Sequence, residues 1–309
     1  MTSEELEEKK KKEANYNFFQ RWNTYQKERF PLAVFSVYIF CLTWATFFFN
    51  KNLNTLLDKT VNVGVFVVMF VVAIAQFLMA RIVDEFKDYA EDAKYRPYRP
   101  VPRGLIKLKE LRVLLFMCAG IQITLTCIFN IAGLKYLALV WLFFLLMTKS
   151  FFIKKFIDKH ILIEVLLDEI MLPLLILYLS SFVGLTFANI WPLLAMVYFV
   201  SWIIEIARKM RCKADEEKGV KTYTAVLGIP RATILISVLE LLLLVSRILL
   251  PSKLNTGNDM AKIVLSVIYA LLIAINVGFV AKKTRSLAKC VEYLGDAFVM
   301  IICLSVICI

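Results

Sequence analysis

The chain has 309 residues, 60% of which are hydrophobic, and its mean hydropathy is +0.70. Soluble domains contain about 45–50% apolar residues, so this composition excludes an ordinary soluble protein. The formal net charge of +12 would suggest nucleic-acid binding in a soluble protein. Membrane topology and phosphate binding account for it here, so we expect no nucleic-acid partner. The spacing of the cysteines indicates neither a disulfide framework nor a cysteine metal cluster.

Nine apolar runs follow a charged segment at 1–30. They have 17 to 27 residues, and a helix needs about 20 residues to cross roughly 30 Å of hydrocarbon. The predicted spans are 31–49, 61–83, 113–134, 136–153, 161–187, 190–206, 232–250, 261–281 and 290–309. We therefore predict an all-α, polytopic membrane protein, with a cytoplasmic N-terminal segment and a nine-helix transmembrane domain at 31–309.

The lysines and arginines indicate which ends of these spans face the cytoplasm. Of the 37 in the chain, 31 fall in the N-terminal segment or in the loops after spans two, four, six and eight. Because positive charge accumulates on the cytoplasmic side, we expect the N-terminus and these loops to be cytoplasmic. The expected location is a membrane, which is the inner membrane if the cell is bacterial.

The loop after the second span begins with an acidic ladder, formed by Asp84, Asp88 and Asp92. Their spacing places them on one face if the helix of the second span continues. Like charges at this spacing repel one another unless they bind a divalent cation, and Mg²⁺ prefers carboxylate and phosphate oxygens. Glu85 adds a further acceptor. The alternative is an acidic helix end balanced by neighbouring lysines.

An arginine turn at residues 96–104 follows the ladder. Its three prolines, Pro97, Pro100 and Pro102, end the helix and hold the chain extended. Arg96 and Arg99 each directly precede one of these prolines and can donate bidentate hydrogen bonds to phosphate oxygens. An acidic ladder followed by such a turn indicates a site for a magnesium-bound diphosphate.

The ladder and the turn together resemble the first signature of the UbiA superfamily of intramembrane prenyltransferases. That signature is NDxxDxxxD followed by a proline-rich turn, and Asp84 stands where the family has asparagine. The matching residues are Glu85, Asp88, Asp92, Arg99, Pro100, Pro102 and Gly104. The family also has nine transmembrane helices, with conserved cytoplasmic loops after helices two and six. The resemblance implies that the four ladder-region acids bind Mg²⁺ and that Arg96 and Arg99 bind the diphosphate.

Lys149 lies near the predicted cytoplasmic end of the fourth span. Considered alone, it would be an ordinary lysine that extends its amine to the membrane surface. It is similar to the lysine that the UbiA superfamily places there, and the resemblance implies a contact with the diphosphate.

Asp168 and Glu169 lie inside the fifth span, roughly 11 Å below the cytoplasmic surface by helical rise. Ionisable groups at such depth usually face the interior of a bundle and mark a functional site. They are predicted to accept a proton or to stabilise a carbocation near the prenyl chain. The alternative is a protonated or paired carboxyl that locks helix packing.

The loop after the sixth span, here the basic loop at 205–228, occupies the position of the second aspartate-rich motif of the superfamily. Its ending, from Gly219 to Gly228, is similar to that motif, but its beginning departs from it. Asp215 is the clear acidic match, Glu205 is a nearby substitute, and both are predicted metal ligands. The predicted diphosphate contacts are Lys209, Arg211 and Lys221. The alternative is a basic cytoplasmic anchor in which Glu205 pairs with Lys209.

These features predict a Mg²⁺-dependent intramembrane prenyltransferase that transfers a prenyl group from an allylic diphosphate to an aromatic or lipid acceptor. The alternative within the superfamily is a terpene cyclase that acts on the prenyl diphosphate alone, and the altered second motif leaves this possibility open. A transporter would also explain many helices with intramembrane acids, but it predicts an internal repeat that the sequence does not show. The expected partners are the prenyl diphosphate, its acceptor and membrane lipid.

Overall fold

The computed structural model describes residues 3–56, 62–157, 159–216, 221–249 and 259–306. All regular elements in these ranges are helices, which confirms the predicted all-α class. The first seven α-helices are α1 Ser3–Glu13, α2 Phe18–Arg29, α3 Leu32–Leu56, α4 Gly64–Lys87, α5 Tyr89–Tyr95, α6 Leu108–Phe129 and α7 Leu134–Thr148. The others are α8 Lys154–Ile157, α9 Ile161–Asp168, α10 Met171–Ser181, α11 Phe187–Arg208, α12 Tyr223–Leu227, α13 Ile229–Ile248, α14 Asp259–Lys282 and α15 Arg285–Ser305. Short 3-10 helices occur at Ile131–Gly133, Ser150–Phe152 and Lys213–Asp215.

Seven segments within the described ranges are long and apolar enough to cross a membrane. They are Leu32–Asn54, Gly64–Lys87, Leu108–Phe129, Ile131–Thr148, Phe187–Arg208, Ile229–Ile248 and Lys262–Lys282. They correspond to predicted spans one to four and six to eight, with ends shifted by up to five residues. The chain is therefore a polytopic integral membrane protein, but the predicted number of nine spans is not confirmed.

The predicted fifth span is broken into two helices at its acidic pair. Helix α9 ends at Asp168 and α10 begins at Met171. The physical reason is Pro173, which has no N–H to donate to the carbonyl of Glu169 and whose ring crowds that carbonyl. The hydroxyl of Ser201 in α11 donates to this carbonyl oxygen at 3.4 Å instead. The break therefore has a partner on the neighbouring helix, as backbone within a membrane requires.

The predicted ninth span corresponds to α15, which begins five residues earlier than predicted. It is 21 residues long, but its N-terminal half carries Lys289, Glu292 and Asp296. These charges keep α15 out of the group of seven apolar segments, although its C-terminal half is strongly apolar. Residues 307–309 of the prediction lie outside the described part of the chain.

The chain forms two compact units. The first contains residues 1–40 and 67–134, and therefore the N-terminal helices, the acidic ladder and the arginine turn. Within it, the buried amide of Gln122 in α6 donates to the side-chain oxygen of Gln76 in α4 at 3.0 Å. Such a bond fixes the register of two apolar helices that otherwise have little to distinguish one contact from another.

The second unit contains residues 41–66 and 135–309. Its helices α11, α13, α14 and α15 pack against one another. Inside this group, the buried amide nitrogen of Asn276 donates to the carboxylate of Glu240 at 3.0 Å and to the hydroxyl of Ser237 at 2.9 Å. This unit carries Lys149, the broken helix and the basic loop.

Candidate active site

The acidic ladder keeps helical spacing across the junction between α4 and α5. The backbone N–H of Asp88 donates to the carbonyl of Asp84 at 2.9 Å, and that of Asp92 donates to the carbonyl of Asp88 at 2.8 Å. The three carboxylates therefore lie on successive turns, as their sequence spacing predicts. They differ in depth, since Asp84 is exposed, Asp88 is half-buried and Asp92 is 1% exposed.

The three carboxylates also differ in their partners. Asp84 lies 3.6 Å from Arg81 on its own helix. Asp92 is held by Arg99 at 2.5 Å and by Arg96 at 2.8 Å. Asp88 makes no hydrogen bond or ion pair through its side chain within the described ranges. Its carboxylate is therefore the ladder member whose oxygens are open to a cation.

Glu85, another predicted magnesium ligand, has a different environment. It is 2% exposed and forms a close ion pair with Arg29 of α2. Arg81 lies 3.6 Å from the same carboxylate oxygen. Its carboxylate thus faces two guanidinium groups of the protein, and the sequence spacing that matched Glu85 to the family motif contained no sign of this.

The arginine turn folds back on itself at Gly104. The N–H of Leu105 donates to the carbonyl of Pro100 at 2.9 Å, which closes the turn. Gly104 has a φ of +87°, a conformation that side chains with a Cβ rarely adopt. The turn directs Arg96 and Arg99 to the carboxylate of Asp92, so the two predicted phosphate ligands converge.

A metal site built from protein groups alone is absent from the described part of the chain, where no three histidine, cysteine or acidic side chains could hold an ion together. Magnesium usually takes one or two carboxylates and completes its shell with water and substrate phosphate. The exposed Asp84 and the unpaired Asp88, one helical turn apart, fit this arrangement.

In the basic loop, the carboxylate of Glu205 lies 2.5 Å from both Arg208 and Lys209. The pair with Lys209 is the one that the anchor alternative predicts. The amine of Lys209 also lies 5.7 Å from the centre of the Tyr223 ring, within range of a cation-π contact. Glu205 is thus the shared counter-ion of Arg208 and Lys209 at the end of α11.

The remaining predicted residues of the basic loop contact α12 and α15. The backbone N–H of Arg211 donates to the hydroxyl of Thr224 at 3.0 Å, and its guanidinium lies 3.9 Å from Glu292. Asp215 lies 3.3 Å from Arg285. Lys221 is exposed, and Gly219 of the family-like ending lies outside the described residues. Sequence reasoning missed Glu292 and Arg285, because no motif links α15 to this loop.

Lys149 lies at the end of α7, where its side chain is exposed and has no ion pair or hydrogen bond within the described ranges. The chain then turns sharply through Ser150, Phe151 and Phe152, whose φ angles are +47°, +51° and +60°. This left-handed conformation is strained for residues other than glycine. Helix α7 ends at Thr148, directly before the lysine, so the amine of Lys149 lies at a helix end.

Asp168 and Glu169 lie at the break between α9 and α10, and both are half-buried. Besides the bond from Ser201, the hydroxyl of Tyr198 in α11 donates to the carbonyl of Leu166 at 2.7 Å. The acidic pair is therefore part of an irregular segment that α11 braces from one side.

Comparison with known protein families decides what kind of protein carries these groups. A model of the UbiA prenyltransferase family matches residues 57–301. The chain belongs to the UbiA prenyltransferase family. The match includes the acidic ladder, the arginine turn, Lys149, the acidic pair and the basic loop. Membership of this family supports a membrane-embedded prenyltransferase.

Two solved structures share the fold of this UbiA-family chain. One comes from work on digeranylgeranylglyceryl phosphate synthase in membranes and is 17% identical, with a TM-score of 0.64 over 93% of this chain and 98% of the other. The second is the apo structure of a UbiA homolog from Aeropyrum pernix K1, which is 14% identical, with a TM-score of 0.61 over 84% and 95%. No curated protein sequence matches significantly. At these identities the likeness shows the fold and leaves the substrate open.

Proposed function

We propose that this protein is a Mg²⁺-dependent prenyltransferase that ionises an allylic prenyl diphosphate and transfers the prenyl group to an aromatic or other hydrophobic acceptor. One observation carries the proposal. The carboxylate of Asp88 has no partner among the residues that the structure describes, and one turn away Asp92 holds the guanidinium groups of Arg96 and Arg99. Cation ligands and phosphate ligands thus lie side by side.

The proposed chemistry follows from the charges involved. The bond between C1 of the prenyl group and the diphosphate oxygen breaks, and its electron pair leaves with the diphosphate. Arg96 and Arg99 donate hydrogen bonds to the phosphate oxygens, which stabilises the negative charge that develops there. Magnesium at Asp84 and Asp88 would neutralise a further part of that charge. The allylic cation then forms a bond to the acceptor, which loses a proton.

The other predicted ligands are proposed in lesser roles. Lys149 is exposed, and its amine has no partner in the described part of the chain, which suits a phosphate contact. Lys209, Arg211 and Lys221 stay proposed phosphate contacts of the basic loop. Glu85, Asp92, Glu205 and Asp215 are also predicted metal ligands, but each forms an ion pair with a protein cation at 3.3 Å or less. Asp84 is exposed, and its contact with Arg81 is longer, at 3.6 Å. We therefore base the proposed metal site on Asp84 and Asp88.

A second candidate, terpene cyclisation, is favoured by the break at Asp168 and Glu169. A carboxyl pair on an irregular, half-buried segment suits a base that takes a proton from a carbocation. A broken membrane helix is also what the transporter alternative predicts. Membership of a prenyltransferase family favours the enzymatic proposals over transport.

We also propose that the N-terminus and the functional loops are cytoplasmic. The support is the distribution of positive charge, with 31 of 37 lysines and arginines on one predicted side. Labelling of single cysteines placed at residues 12 and 52 with a membrane-impermeant reagent would test the orientation. Labelling at 52 and protection at 12 in intact cells agrees with it, and the reverse pattern contradicts it.

The proposed function is tested by incubating the purified protein with prenyl diphosphates of several chain lengths, with and without Mg²⁺ and candidate acceptors. Mass spectrometry identifies the products, and diphosphate release is measured on the same samples. Magnesium-dependent release with a prenylated acceptor is the expected result. Release with a hydrocarbon or alcohol in the absence of acceptor favours cyclisation. No release at any chain length, together with metal-independent uptake into vesicles, contradicts both enzymatic proposals.

A further inference from the structure

The side chain of Arg103 is fully buried. Its guanidinium group uses all of its N–H donors within the protein. Its Nε and Nη2 donate to the two carboxylate oxygens of Glu13 at 2.7 and 2.9 Å. Its Nη1 and Nη2 donate to the carboxylate of Glu28 at 2.7 and 2.9 Å, and Nη1 also donates to the carbonyl of Tyr98 at 2.6 Å. An arginine has five N–H donors, so none is left for a phosphate oxygen.

Arg103 joins three segments of the first unit through this network. Glu13 is the last residue of α1, Glu28 lies in the last turn of α2, and Tyr98 belongs to the arginine turn. Lys9 of α1 adds an ion pair to Glu28 at 3.0 Å. Because removing the partners of a buried charge is strongly destabilising, the network holds the turn against both N-terminal helices.

The contact with Tyr98 brings this network next to the proposed phosphate ligands. Tyr98 directly precedes Arg99, and the backbone N–H of Arg103 donates to the carbonyl of Arg99 at 3.0 Å. The N–H of Arg99 in turn donates to the carbonyl of Arg96 at 3.0 Å. Withdrawal of Arg103 would therefore move the backbone that carries both arginines.

The N-terminal helices hold the same segment at two other points. Arg29 pairs with Glu85 just before the unpaired member of the ladder. Arg21 donates through Nε to the carbonyl of Leu105 at 2.9 Å and through Nη2 to the carboxylate of Glu110 at 2.7 Å. An apolar cluster packs the same elements together and consists of Tyr25, Ile82, Val101, Leu105, Ile106 and Leu111. The segment from 85 to 110 is thus attached to α2 at both ends.

We propose that α1 and α2 are a structural part of the diphosphate site, in which Arg103, Glu13 and Glu28 position Arg96 and Arg99 for phosphate binding. Arg103 is a positioning residue, since its donors are all committed to protein oxygens. Glu85 acts in the same way, as the attachment point of Arg29. The identity of the ligand rests on the proposed function, whereas the contacts that hold the turn do not depend on it.

The test compares the full-length protein with the double variant Glu13→Gln and Glu28→Gln, with Arg103→Lys, and with Glu8→Gln as a matched control. Glu8 lies on α1 like Glu13, but it is exposed and has no side-chain partner in the described residues. Deuterium uptake is measured for peptides that cover 96–105, with peptides from 187–208 as an internal reference. The affinity for inorganic diphosphate in the presence of Mg²⁺ is measured by calorimetry. Steady-state kinetics give KM for the prenyl diphosphate and for the acceptor separately.

We expect the double variant to take up more deuterium at 96–105 and to bind inorganic diphosphate about tenfold more weakly, which corresponds to about 1.4 kcal/mol. KM for the prenyl diphosphate should rise by a similar factor, while KM for the acceptor stays constant. Arg103→Lys should give an intermediate effect, because an ammonium group has three donors in place of five. Glu8→Gln should match the unmodified protein.

Unchanged uptake and unchanged diphosphate affinity in the double variant would overturn the inference. Increased uptake with unchanged affinity would also overturn it, because the network would then be structural only. If the double variant fails to fold, Glu28→Gln alone, which keeps the bidentate pair with Glu13, and Arg103→Lys give the same comparison. If the unmodified protein does not bind diphosphate, the proposed function fails together with the phosphate part of this inference. Deuterium uptake then decides by itself whether the N-terminal helices hold the turn.

Discussion

Oδ2 of Asp92 lies 2.5 Å from Nη1 of Arg99, so a predicted metal ligand is the counter-ion of a predicted phosphate ligand. Arg96 lies 2.8 Å from the other oxygen of the same carboxylate, as an ion pair without hydrogen-bond geometry. One buried carboxylate is therefore the shared counter-ion of both arginines, and its single negative charge does not cancel their two positive charges. A diphosphate would have to share these arginines with Asp92, whereas Asp88 remains open to a cation.

Asp88→Asn is expected to lower turnover at limiting Mg²⁺ by at least about 100-fold, because the amide keeps the shape of the carboxylate and loses its charge. Binding of inorganic diphosphate without metal should be unchanged, since the arginines are intact. Calorimetry with and without Mg²⁺ measures both effects, and Glu8→Ala serves as the exposed-carboxylate control. Near-normal activity at limiting Mg²⁺ would mean that the ladder is only a solvated face.

Arg99→Ala is expected to weaken binding of inorganic diphosphate, with Arg99→Lys as a partial rescue, because the two-pronged hydrogen bond is lost while the charge is kept. The readout is the inhibition constant of free diphosphate in the prenyl transfer assay. Equal inhibition constants for the alanine variant and the unmodified protein would remove Arg99 from the phosphate site.

Lys149→Ala is expected to raise the inhibition constant of diphosphate, roughly tenfold if the amine contacts phosphate directly. Lys135→Ala is the matched control, since Lys135 lies at the opposite end of α7, where its amine is 5.0 Å from the ring of Tyr136. If both variants behave alike, Lys149 is an ordinary lysine at the membrane surface.

Asp168→Asn is expected to retain diphosphate release but to change the product ratio, with more prenyl alcohol or alternative hydrocarbons. A base at the broken helix would govern the fate of the carbocation more than its formation. Release and products should be measured on the same sample. Wild-type values for both would make Asp168 structural, and loss of both with folding intact would assign it to ionisation.

The contact between Glu28 and Arg103 is expected to weaken in acid. Burial raises the pKa of Glu28, but hydrogen bonds from Arg103 and Lys9 outweigh burial and hold the pKa below its ordinary value of 4.5. A lowered pKa stabilises the folded state above the ordinary value, and this contribution is lost as the pH falls through the folded pKa. Glu13, the other acid that faces Arg103, contributes to the same network.

The measurement is the fluorescence of Trp22 in α2, obtained as the difference between the protein and its Trp22→Phe variant over a pH series. The signal should change as the pH falls below about 4.5, and Glu28→Gln should show the acid form already at neutral pH. A signal that is constant to pH 3 in both proteins would contradict this prediction.

Much of the fold follows from local sequence. Runs of apolar residues must form helices in lipid, because an isolated helix is the one spanning element that satisfies its own backbone hydrogen bonds. Seven of the predicted spans correspond to described segments that are long and apolar enough to cross a membrane. The fifth span is predicted only in part by local sequence. Pro173 is a local signal for the break at Glu169, but the hydroxyl that donates to the carbonyl of Glu169 belongs to Ser201, 32 residues away.

The sequence by itself determined the class of the protein, the spacing of the acidic ladder and the family, because each depends on residues that are neighbours along one helix or one turn. Only the tertiary structure decided which charges are already paired. Glu13 and Arg103 are 90 residues apart and Arg29 and Glu85 are 56 apart, and no local pattern connects either pair. Ion pairs depend on distance in space and on burial. The arrangement of the N-terminal helices therefore gives Glu85 a partner in Arg29, whereas the side chain of Asp88 has no partner among the described residues.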